Sequence, residues 1–252
     1  MTDEYKLEYW DRKWKLREQR LRERVTLDGR DGEREFSHEV LLRARGKKAL
    51  DVGCGPAEFT LHVGRIAKSV IGIDVSRIAL EMAERNLRRS RLKNVQFKYG
   101  NAGKIPFPDR SFDLVCSRRG PASKSRRNLS EVLRVLRRSG VFMEITIGER
   151  DKQNVVEIFG RGQMLQFRGQ VSTVKKGWLE KVGFRASTAR DYVATEVFHS
   201  LDDLIIRLKT APIIPGFDVG KDQHLLDAVA AKCTTERGIE TPVHRVVLTA
   251  CK

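Results

Sequence analysis

The residues of this chain that could bind a ligand through their type and spacing lie in one glycine-rich segment, ALDVGCGPA over 49–57. Asp51 ends a short apolar run, and Gly53, Cys54 and Gly55 precede a helical pattern. Glycine permits positive φ and close approach of a ligand to the backbone, and ligands of open α/β sheets bind at the carboxyl ends of strands. The segment therefore predicts a ligand-binding turn, and we expect a side chain at Gly53 to obstruct the ligand rather than the core.

Two classes of nucleotide cofactor compete for such a turn. A dinucleotide site requires G-x-G-x-x-G, and its third glycine would fall at position 58, where the chain has Glu58. A carboxylate is a poor neighbour for a pyrophosphate. The pattern present is D-x-G-x-G-x-A, which ends at Ala57, so a nicotinamide-linked enzyme is the weaker alternative.

Three further segments follow in a regular order. Asp74 ends a second apolar run, SVIGID, 19 residues after Gly55. Gly100-Asn101-Ala102 and IPFPDRSFDLV (105–115) follow a third run, and LRVLRRSGVF spans 133–142.

Together with the glycine turn, these segments resemble the motifs of class I (seven-stranded) S-adenosylmethionine-dependent methyltransferases, and they are closest to type 11 methyltransferase domains. The resemblance covers about residues 45–150. It implies S-adenosylmethionine as cofactor, whose sulfonium and ammonium groups suit an acid at Asp51. This chain departs from the family pattern at Ala57, where a third glycine is usual, at Asn101, where Asp is usual, and at 138–140, where Arg-Ser-Gly replaces Lys-Pro-Gly.

The resemblance also implies which residues contact the cofactor. They are Asp51, Gly53, Cys54, Gly55, Asp74, Val75, Asn101, Ala102 and Ser117. Asp74 would bind the ribose, because the two oxygens of one carboxylate match two vicinal hydroxyls; a helix cap or strand-end acid is the alternative. The amide oxygen of Asn101 would accept a hydrogen bond from the adenine amino group.

The candidates for the reaction itself are Arg118, Arg119 and Glu149. The two arginines follow the fourth strand, where class I enzymes present the methyl group, and either they hold an anionic acceptor or they point outward. Glu144 and Glu149 flank the end of the fifth strand, and Glu149 could face the cleft. No general base is evident. Methyl transfer is an in-line displacement, for which alignment alone can supply ~7–11 kcal/mol.

The elements that must position these residues alternate between strands and helices. Strands are predicted at 48–53, 69–74, 94–99, 112–117, 141–147, 184–193 and 243–250, and helices at 5–24, 58–67, 76–91, 128–138, 171–182, 200–210 and 221–236. Ser76 is the expected N-cap of the helix over 76–91. Such alternation indicates a parallel sheet covered on both faces. We expect a three-layer α/β, Rossmann-like, doubly wound and mostly parallel seven-stranded sheet, with an N-terminal helix and a small helical cap before the last strand.

The same pattern predicts the domain organisation. Residues 1–45 form an N-terminal helical lid segment, and residues 46–252 form the methyltransferase domain. Because ~50 residues between the last two strands are too many for a bare connection, the helical cap is placed at 200–236.

The charge of the chain leaves the methyl acceptor open. Of 252 residues, 49 are Lys or Arg and 33 are Asp or Glu, for a net charge of +16. Residues 85–139 hold 16 basic residues against three acids. Such an excess favours anionic partners, although solvated helix faces explain it as well. The alternatives are a small-molecule acceptor that could be anionic, an rRNA or tRNA methyltransferase that uses region 85–139, and a non-catalytic S-adenosylmethionine-binding protein.

Several other classes of protein are not favoured. The four cysteines and the histidines lack metal-ligand spacing, so no metal site is predicted. No apolar run reaches the ~20 residues that a membrane span needs. The charged start lacks the apolar stretch of a secretion signal, and a cytoplasmic location is expected.

Overall fold

The computed structural model describes residues 7–18, 23–165 and 167–252. The helices are α1 (Leu7–Glu18), α2 (Glu33–Ala44), α3 (Glu58–Gly64), α4 (Arg77–Ser90), α5 (Arg126–Val135), α6 (Gln153–Phe159), α7 (Val171–Val182), α8 (Leu201–Thr210) and α9 (Gln223–Cys233). The strands are β1 (Val25–Gly29), β2 (Lys48–Val52), β3 (Ser69–Asp74), β4 (Val95–Tyr99), β5 (Phe112–Arg118), β6 (Leu136–Ile147), β7 (Arg185–Phe198), β8 (Thr234–Thr235) and β9 (Gly238–Cys251). Among these residues, no helix is long and apolar enough to cross a lipid bilayer.

The strands form one sheet with the order β1-β7-β9-β6-β5-β2-β3-β4, and β8 pairs with β9. The pairs β2–β3, β2–β5, β3–β4 and β5–β6 are parallel, whereas β1–β7 and β8–β9 are antiparallel. This arrangement confirms the predicted α/β, Rossmann-like and mostly parallel sheet.

The predicted count of seven strands was too low, because the described residues form nine. The two extra strands are β1 and β8. Four of the five residues of β1 are exposed, so its sequence lacks the apolar alternation of a half-buried strand, and pairing with β7 forms it. Strand β8 has only two residues, too few to give a periodic pattern.

The described residues divide into two compact units. The first, which we call the turn unit, comprises Gly32–Thr146, Val171–Asp191 and Val246–Lys252. The second, which we call the outer unit, comprises the described residues up to Asp31 together with Ile147–Gln170 and Tyr192–Arg245. The lid at 1–45, the domain at 46–252 and the cap at 200–236 stay predictions.

The turn unit is built on the central strand β2. Its residues Ala49, Leu50 and Val52 are completely buried, as expected for a parallel strand covered on both faces. Helix α4 begins after Ser76, whose hydroxyl accepts the N–H of Ala79 at 3.1 Å. This confirms the predicted helix cap, which satisfies an otherwise unpaired amide of the first turn.

The outer unit has its own apolar core. Phe198 at the end of β7, Leu204 and Leu208 of α8, and Leu226 and Val229 of α9 are completely buried. Helices α8 and α9 lie within the predicted ranges 200–210 and 221–236. Helix α6 was not predicted, because seven residues show barely two turns of periodicity. The predicted helix over 5–24 is seen at Leu7–Glu18, and residues 5, 6 and 19–22 lie outside the described ranges.

Candidate cofactor site at the glycine turn

The glycine turn is fastened to the end of β3. The N–H groups of Gly53 and Cys54 both donate to the carbonyl oxygen of Ile73, at 2.8 and 3.1 Å. Gly53 and Gly55 have φ of 79° and 52°, a left-handed conformation that glycine adopts without steric penalty. The backbone of the turn is therefore held by the neighbouring strand, and these two amides serve that attachment.

Ala57 occupies a position that favours glycine. It precedes α3 with a φ of 70°, and its side chain makes no capping hydrogen bond. A non-glycine residue in this region costs about 1–3 kcal/mol, which gives a physical reason for the glycine that the family usually has there. The methyl group of Ala57 is completely buried, so the protein accommodates it at some conformational cost.

Asp51 lies beneath the turn as a buried acid with one oxygen engaged. Its carboxylate is 2% exposed, and Oδ2 accepts the hydroxyl of Thr60 at 2.7 Å. Its other oxygen, Oδ1, has no hydrogen-bond partner among the described residues. A buried carboxylate oxygen without a donor is costly, and it marks a place where a ligand donor would be stabilising.

The electrostatics of Asp51 suit a cationic ligand. Burial raises the pKa of Asp51 from 3.8 to about 6. The hydrogen bond from Thr60 lowers this pKa, whereas the nearby charge of Asp74 raises it further. Above this pKa the side chain is a buried anion, which attracts a positive group strongly. The acid at this position therefore fits a cofactor that carries an ammonium and a sulfonium.

Asp74 joins the turn to the start of α4. Its Oδ2 accepts the N–H of Gly55 at 2.9 Å, and its Oδ1 accepts the N–H of Ser76 at 2.9 Å. Each carboxylate oxygen can accept more than one hydrogen bond, so a contact with a backbone amide does not by itself exclude a contact with a hydroxyl group. Asp74 can therefore hold the turn at the end of the strand and also bind the ribose. Val75 lies between Asp74 and Ser76 in the sequence.

Asn101 lies in a tight turn after β4. Its Oδ1 accepts the N–H of Gly103 at 2.7 Å, and the residue is exposed, whereas Ala102 beside it is buried. Asp at this position would hold the same turn. The exposed amide retains acceptor capacity on Oδ1, which agrees with the expected contact to an adenine amino group.

Cys54 is a packing residue in the turn. Its side chain is buried, and a Cβ built on Gly72 of β3 would come within 2.9 Å of its Cβ and Sγ. Burial, with smaller effects from the charges of Asp51 and Asp74, raises the pKa of the thiol well above its usual range. Cys54 is therefore a neutral thiol and not a nucleophile.

The loop that follows β5 lies directly against the turn. Ser117 is buried, and its hydroxyl donates to the carbonyl oxygen of Val52 at 2.8 Å. A Cβ built on Gly53 would lie 2.5 Å from Cδ of Pro121, and one built on Gly120 would collide with the Val52 carbonyl oxygen. The expectation that a side chain at Gly53 obstructs only a ligand was therefore wrong, because the protein's own loop fills that space.

Arg118 and Arg119 share one partner. Nε of Arg118 lies 2.8 Å from Oε2 of Glu33, and Nε of Arg119 lies 3.3 Å from Oε1 of the same carboxylate. Glu33 is the first residue of α2, where a negative charge also interacts well with the helix dipole. Both guanidinium groups thus bind the protein's own acid. The sequence predicts only an anionic acceptor or an outward orientation for these two arginines.

Glu149 belongs to the outer unit. Its Oε2 lies 3.7 Å from Nδ1 of His244, a buried residue whose Nδ1 also accepts the N–H of Arg150 at 3.2 Å. A Cβ built on Gly148 would overlap the His244 ring. Glu149 therefore borders a tightly packed histidine, and its role as a candidate for the reaction stays a prediction.

Sequence reasoning missed Thr60 and Glu33 as members of this site. Thr60 is the third residue of α3, nine positions after Asp51, and a buried hydroxyl on the helix that follows a glycine turn was an available signal. Glu33 is 85 residues from Arg118, and no local pattern connects the two. Only the fold brings them together.

Comparison with known proteins identifies the family. Residues 43–176, more than half of the chain, match the model of a methyltransferase domain family. A demethylmenaquinone methyltransferase from a Geobacillus strain is 42% identical over 74 residues, which are 28% of this chain and 32% of that protein. The uncharacterised methyltransferase YcgJ of Bacillus subtilis is 33% identical over 98 residues, 38% of this chain and 39% of that protein. The chain thus spans about a third of the length of these curated relatives.

Two solved structures show the same fold over most of both chains. The structure of Bacillus subtilis YcgJ has a TM-score of 0.66 at 18% identity and covers 87% of this chain and 99% of its own. A putative methyltransferase from Bacillus halodurans has a TM-score of 0.67 at 19% identity, with 86% and 98% covered. The family match therefore identifies the chain as a member of the methyltransferase domain family, and these two solved structures share its fold.

Proposed function

We propose that this enzyme transfers a methyl group from S-adenosylmethionine to a small-molecule acceptor at the carboxyl edge of β2, β3 and β5. The observation that carries the proposal is the buried Asp51 carboxylate, whose Oδ1 has no donor among the described residues. S-adenosylmethionine supplies an electrophilic methyl group on a sulfonium. The protein's task is to bind, to align and to exclude water.

The residues that would hold the cofactor divide by chemistry. Asp51 offers a buried negative charge to the ammonium of the methionine part, while Thr60 orients its carboxylate. Asp74 offers two acceptor oxygens to the ribose, and Asn101 offers an amide oxygen to the adenine. Because Ser117 and Pro121 lie against the turn, the loop after β5 would border the methyl group and the acceptor.

The relatives support a small-molecule acceptor. Several of them are named demethylmenaquinone methyltransferases, and the methyl acceptor in that name is a small molecule. Since the match covers 32% to 46% of those proteins, the support extends to the class of acceptor and not to the quinone itself.

The basic region 85–139 is less available to nucleic acid than its composition suggests. Arg134 donates to Glu131 and Asp109 and to the carbonyl oxygens of Ile105 and Phe107. Arg137 binds Asp113 at 2.9 Å. With Arg118 and Arg119 bound to Glu33 as well, four of the sixteen basic side chains already bind the protein's own acids. A small-molecule acceptor therefore agrees better with these contacts, and an anionic acceptor is not required by them.

Methyl labelling of cell fractions tests the proposal. The enzyme is incubated with S-adenosylmethionine labelled in the methyl group and, separately, with total RNA, with protein and with a metabolite extract that includes the lipid-soluble fraction. We expect label in the metabolite fraction. A variant with Asp51→Asn serves as the matched control and should lose most of the incorporation.

The other fractions distinguish the alternatives. Label in RNA, with binding whose log–log salt slope is steeper than about −3 and flattens when Lys124, Arg126 and Arg127 are replaced, would establish the RNA alternative. Binding of the cofactor product without label in any fraction would support a non-catalytic protein.

A further inference from the structure

A buried acid and a buried lysine lie behind the loop that borders the glycine turn. Glu144 on β6 is completely buried, and Lys175 on α7 is 8% exposed. Lysine and glutamate are rarely buried unless they are paired. Both residues are in the turn unit, and the family motifs account for neither of them.

The two side chains meet at Ser123, which lies in the loop 119–125 between β5 and α5. Nζ of Lys175 donates to the carbonyl oxygen of Ser123 at 2.9 Å and to its hydroxyl oxygen at 2.6 Å. The N–H of Ser123 points to Oε1 of Glu144 at 3.4 Å. All three polar groups of one buried serine are therefore held by this pair of side chains.

Each side chain is stabilised by the other, because Glu144 is completely buried and only 8% of Lys175 is exposed. Burial raises the pKa of Glu144, against the charge of Lys175 and the hydrogen bond from Ser123. Burial also lowers the pKa of Lys175, and the charge of Glu144 opposes that change. Oε2 of Glu144 has no hydrogen-bond partner among the described residues. Removing one charge would leave an uncompensated buried ion, a strongly destabilising change.

The other end of this loop lies against the glycine turn. Gly120 packs on the carbonyl oxygen of Val52, and Pro121 lies where a side chain on Gly53 would be. Ser117, directly opposite Glu144 in the β5–β6 ladder, donates to Val52 at 2.8 Å. A displacement at Ser123 would thus reach the turn through Pro121 and Gly120, two and three residues earlier in the loop.

From these contacts we infer that Lys175 and Glu144 are positioning residues for methyl transfer, a buried pair that fixes the loop 119–125 against the glycine turn by holding Ser123. The inference rests on the proposed function, because it assumes that the turn holds the cofactor. The pair touches neither cofactor nor acceptor in this account. It acts through the loop, and sequence reasoning had no means of finding Lys175, which lies 52 residues from Ser123.

The test uses Lys175→Met, which keeps the length of the side chain and removes its charge and donors. Lys176→Met is the matched control, because Lys176 is the next residue of the same helix and half-exposed, and its Nζ lies 3.8 Å from Oε1 of Glu180. Hydrogen exchange is followed over residues 117–125. We expect at least tenfold faster exchange in Lys175→Met, together with at least fivefold weaker binding of S-adenosylhomocysteine, while Lys176→Met stays within twofold of wild type in both.

The double variant Glu144→Gln/Lys175→Met separates positioning from general damage. It leaves no buried charge, so we expect a higher urea midpoint than in Lys175→Met, while the loop still exchanges fast because Ser123 remains released. If Lys175→Met alone does not fold, the exchange rate of the loop in the double variant against wild type still tests the inference. Loop exchange within twofold of wild type in the double variant, or a urea midpoint no higher than that of Lys175→Met, would overturn the inference. Failure of the wild type to bind S-adenosylhomocysteine would instead refute the proposed function. The hydrogen-exchange rates would then still show whether Lys175 and Glu144 hold the loop.

Discussion

The hydroxyl of Thr60 donates to Oδ2 of Asp51 at 2.7 Å, and both side chains are buried beneath the glycine turn. This contact leaves Oδ1 of Asp51 as the acid's open acceptor among the described residues. The first helix after the turn therefore orients the carboxylate that we propose for the cofactor's ammonium group.

Replacing Thr60 with Val should weaken cofactor binding without removing the acid. Val keeps the shape of the side chain but cannot donate, so the carboxylate loses its orientation and a hydrogen bond worth about 1.5–3 kcal/mol when one partner is charged. We expect the dissociation constant of S-adenosylhomocysteine to rise at least threefold in calorimetry. Thr60→Ser retains the hydroxyl and should bind as wild type does; equal losses in the two variants would show that packing, and not the hydrogen bond, is responsible.

The raised pKa of Asp51 predicts how the free energy of unfolding of the ligand-free protein changes with pH. Because burial raises this pKa from 3.8 to about 6, the folded state binds the proton more tightly than the unfolded state does. Ionisation of Asp51 therefore removes stability as the pH rises from about 4 to 6, and above pH 6 the loss is complete. The two pKa values imply a loss on the order of 3 kcal/mol at 1.36 kcal/mol per pKa unit.

Urea denaturation of wild type and Asp51→Asn at several pH values measures this effect. The difference isolates Asp51 from the carboxylates whose pKa is lowered, such as Asp113 and Glu131, which change stability in the opposite direction. We expect wild type to lose stability relative to Asp51→Asn between pH 4 and 6. A constant difference over that range would mean that Asp51 is not a buried acid.

Substitution at Gly53 should unfold or loosen the turn before any ligand is added. Gly53→Ala places a methyl group 2.5 Å from Pro121 at a φ of 79°, and strain of this kind costs about 1–3 kcal/mol. Gly177→Ala is the control, since a Cβ there has nothing within 4 Å and alanine favours the helix by ~0.5–1 kcal/mol. We expect opposite changes in urea midpoint, and equal midpoints would show that the loop moves away freely.

How far the sequence predicts this molecule depends on the range of the contacts. The strand over 69–74, the helix over 171–182 and the Ser76 cap agree with the structure, because apolar periodicity and capping act within a few residues. Strands β7 and β9 are each longer than predicted: they have 14 residues, against predictions of ten and eight. Their ends pair through the sheet rather than through their own alternation.

The candidate site shows the same division. The glycine turn, Asp51 and Asp74 form a pattern within 24 residues of sequence, and a pattern of this kind can be found without a structure. The partners Glu33 and Lys175 come from elements far away in the chain and have no motif. Glu33 explains why Arg118 and Arg119 were candidates for binding an anion, since the carboxylate that pairs with them could not be located in the sequence.

Asp74→Ala should weaken the binding of S-adenosylhomocysteine and also loosen the turn. The variant removes the proposed ribose acceptors together with the hydrogen bonds to the N–H groups of Gly55 and Ser76. We expect at least a tenfold rise in the dissociation constant, or about 1.4 kcal/mol. Asp109→Ala removes an exposed acid paired with Arg134 and should leave binding unchanged. An unaltered affinity in Asp74→Ala would refute the proposed ribose site.

The most direct test of the cofactor site is a calorimetric titration of S-adenosylhomocysteine into wild type and Asp51→Asn at pH 8, where Asp51 is ionised in the folded protein. Asn has the shape of Asp without its charge, so a folded variant isolates the buried anion. We expect one binding site in wild type, no binding of NAD, and at least tenfold weaker binding of S-adenosylhomocysteine in Asp51→Asn. Equal affinity in the two proteins, or binding of NAD in place of S-adenosylhomocysteine, would contradict the proposed cofactor site.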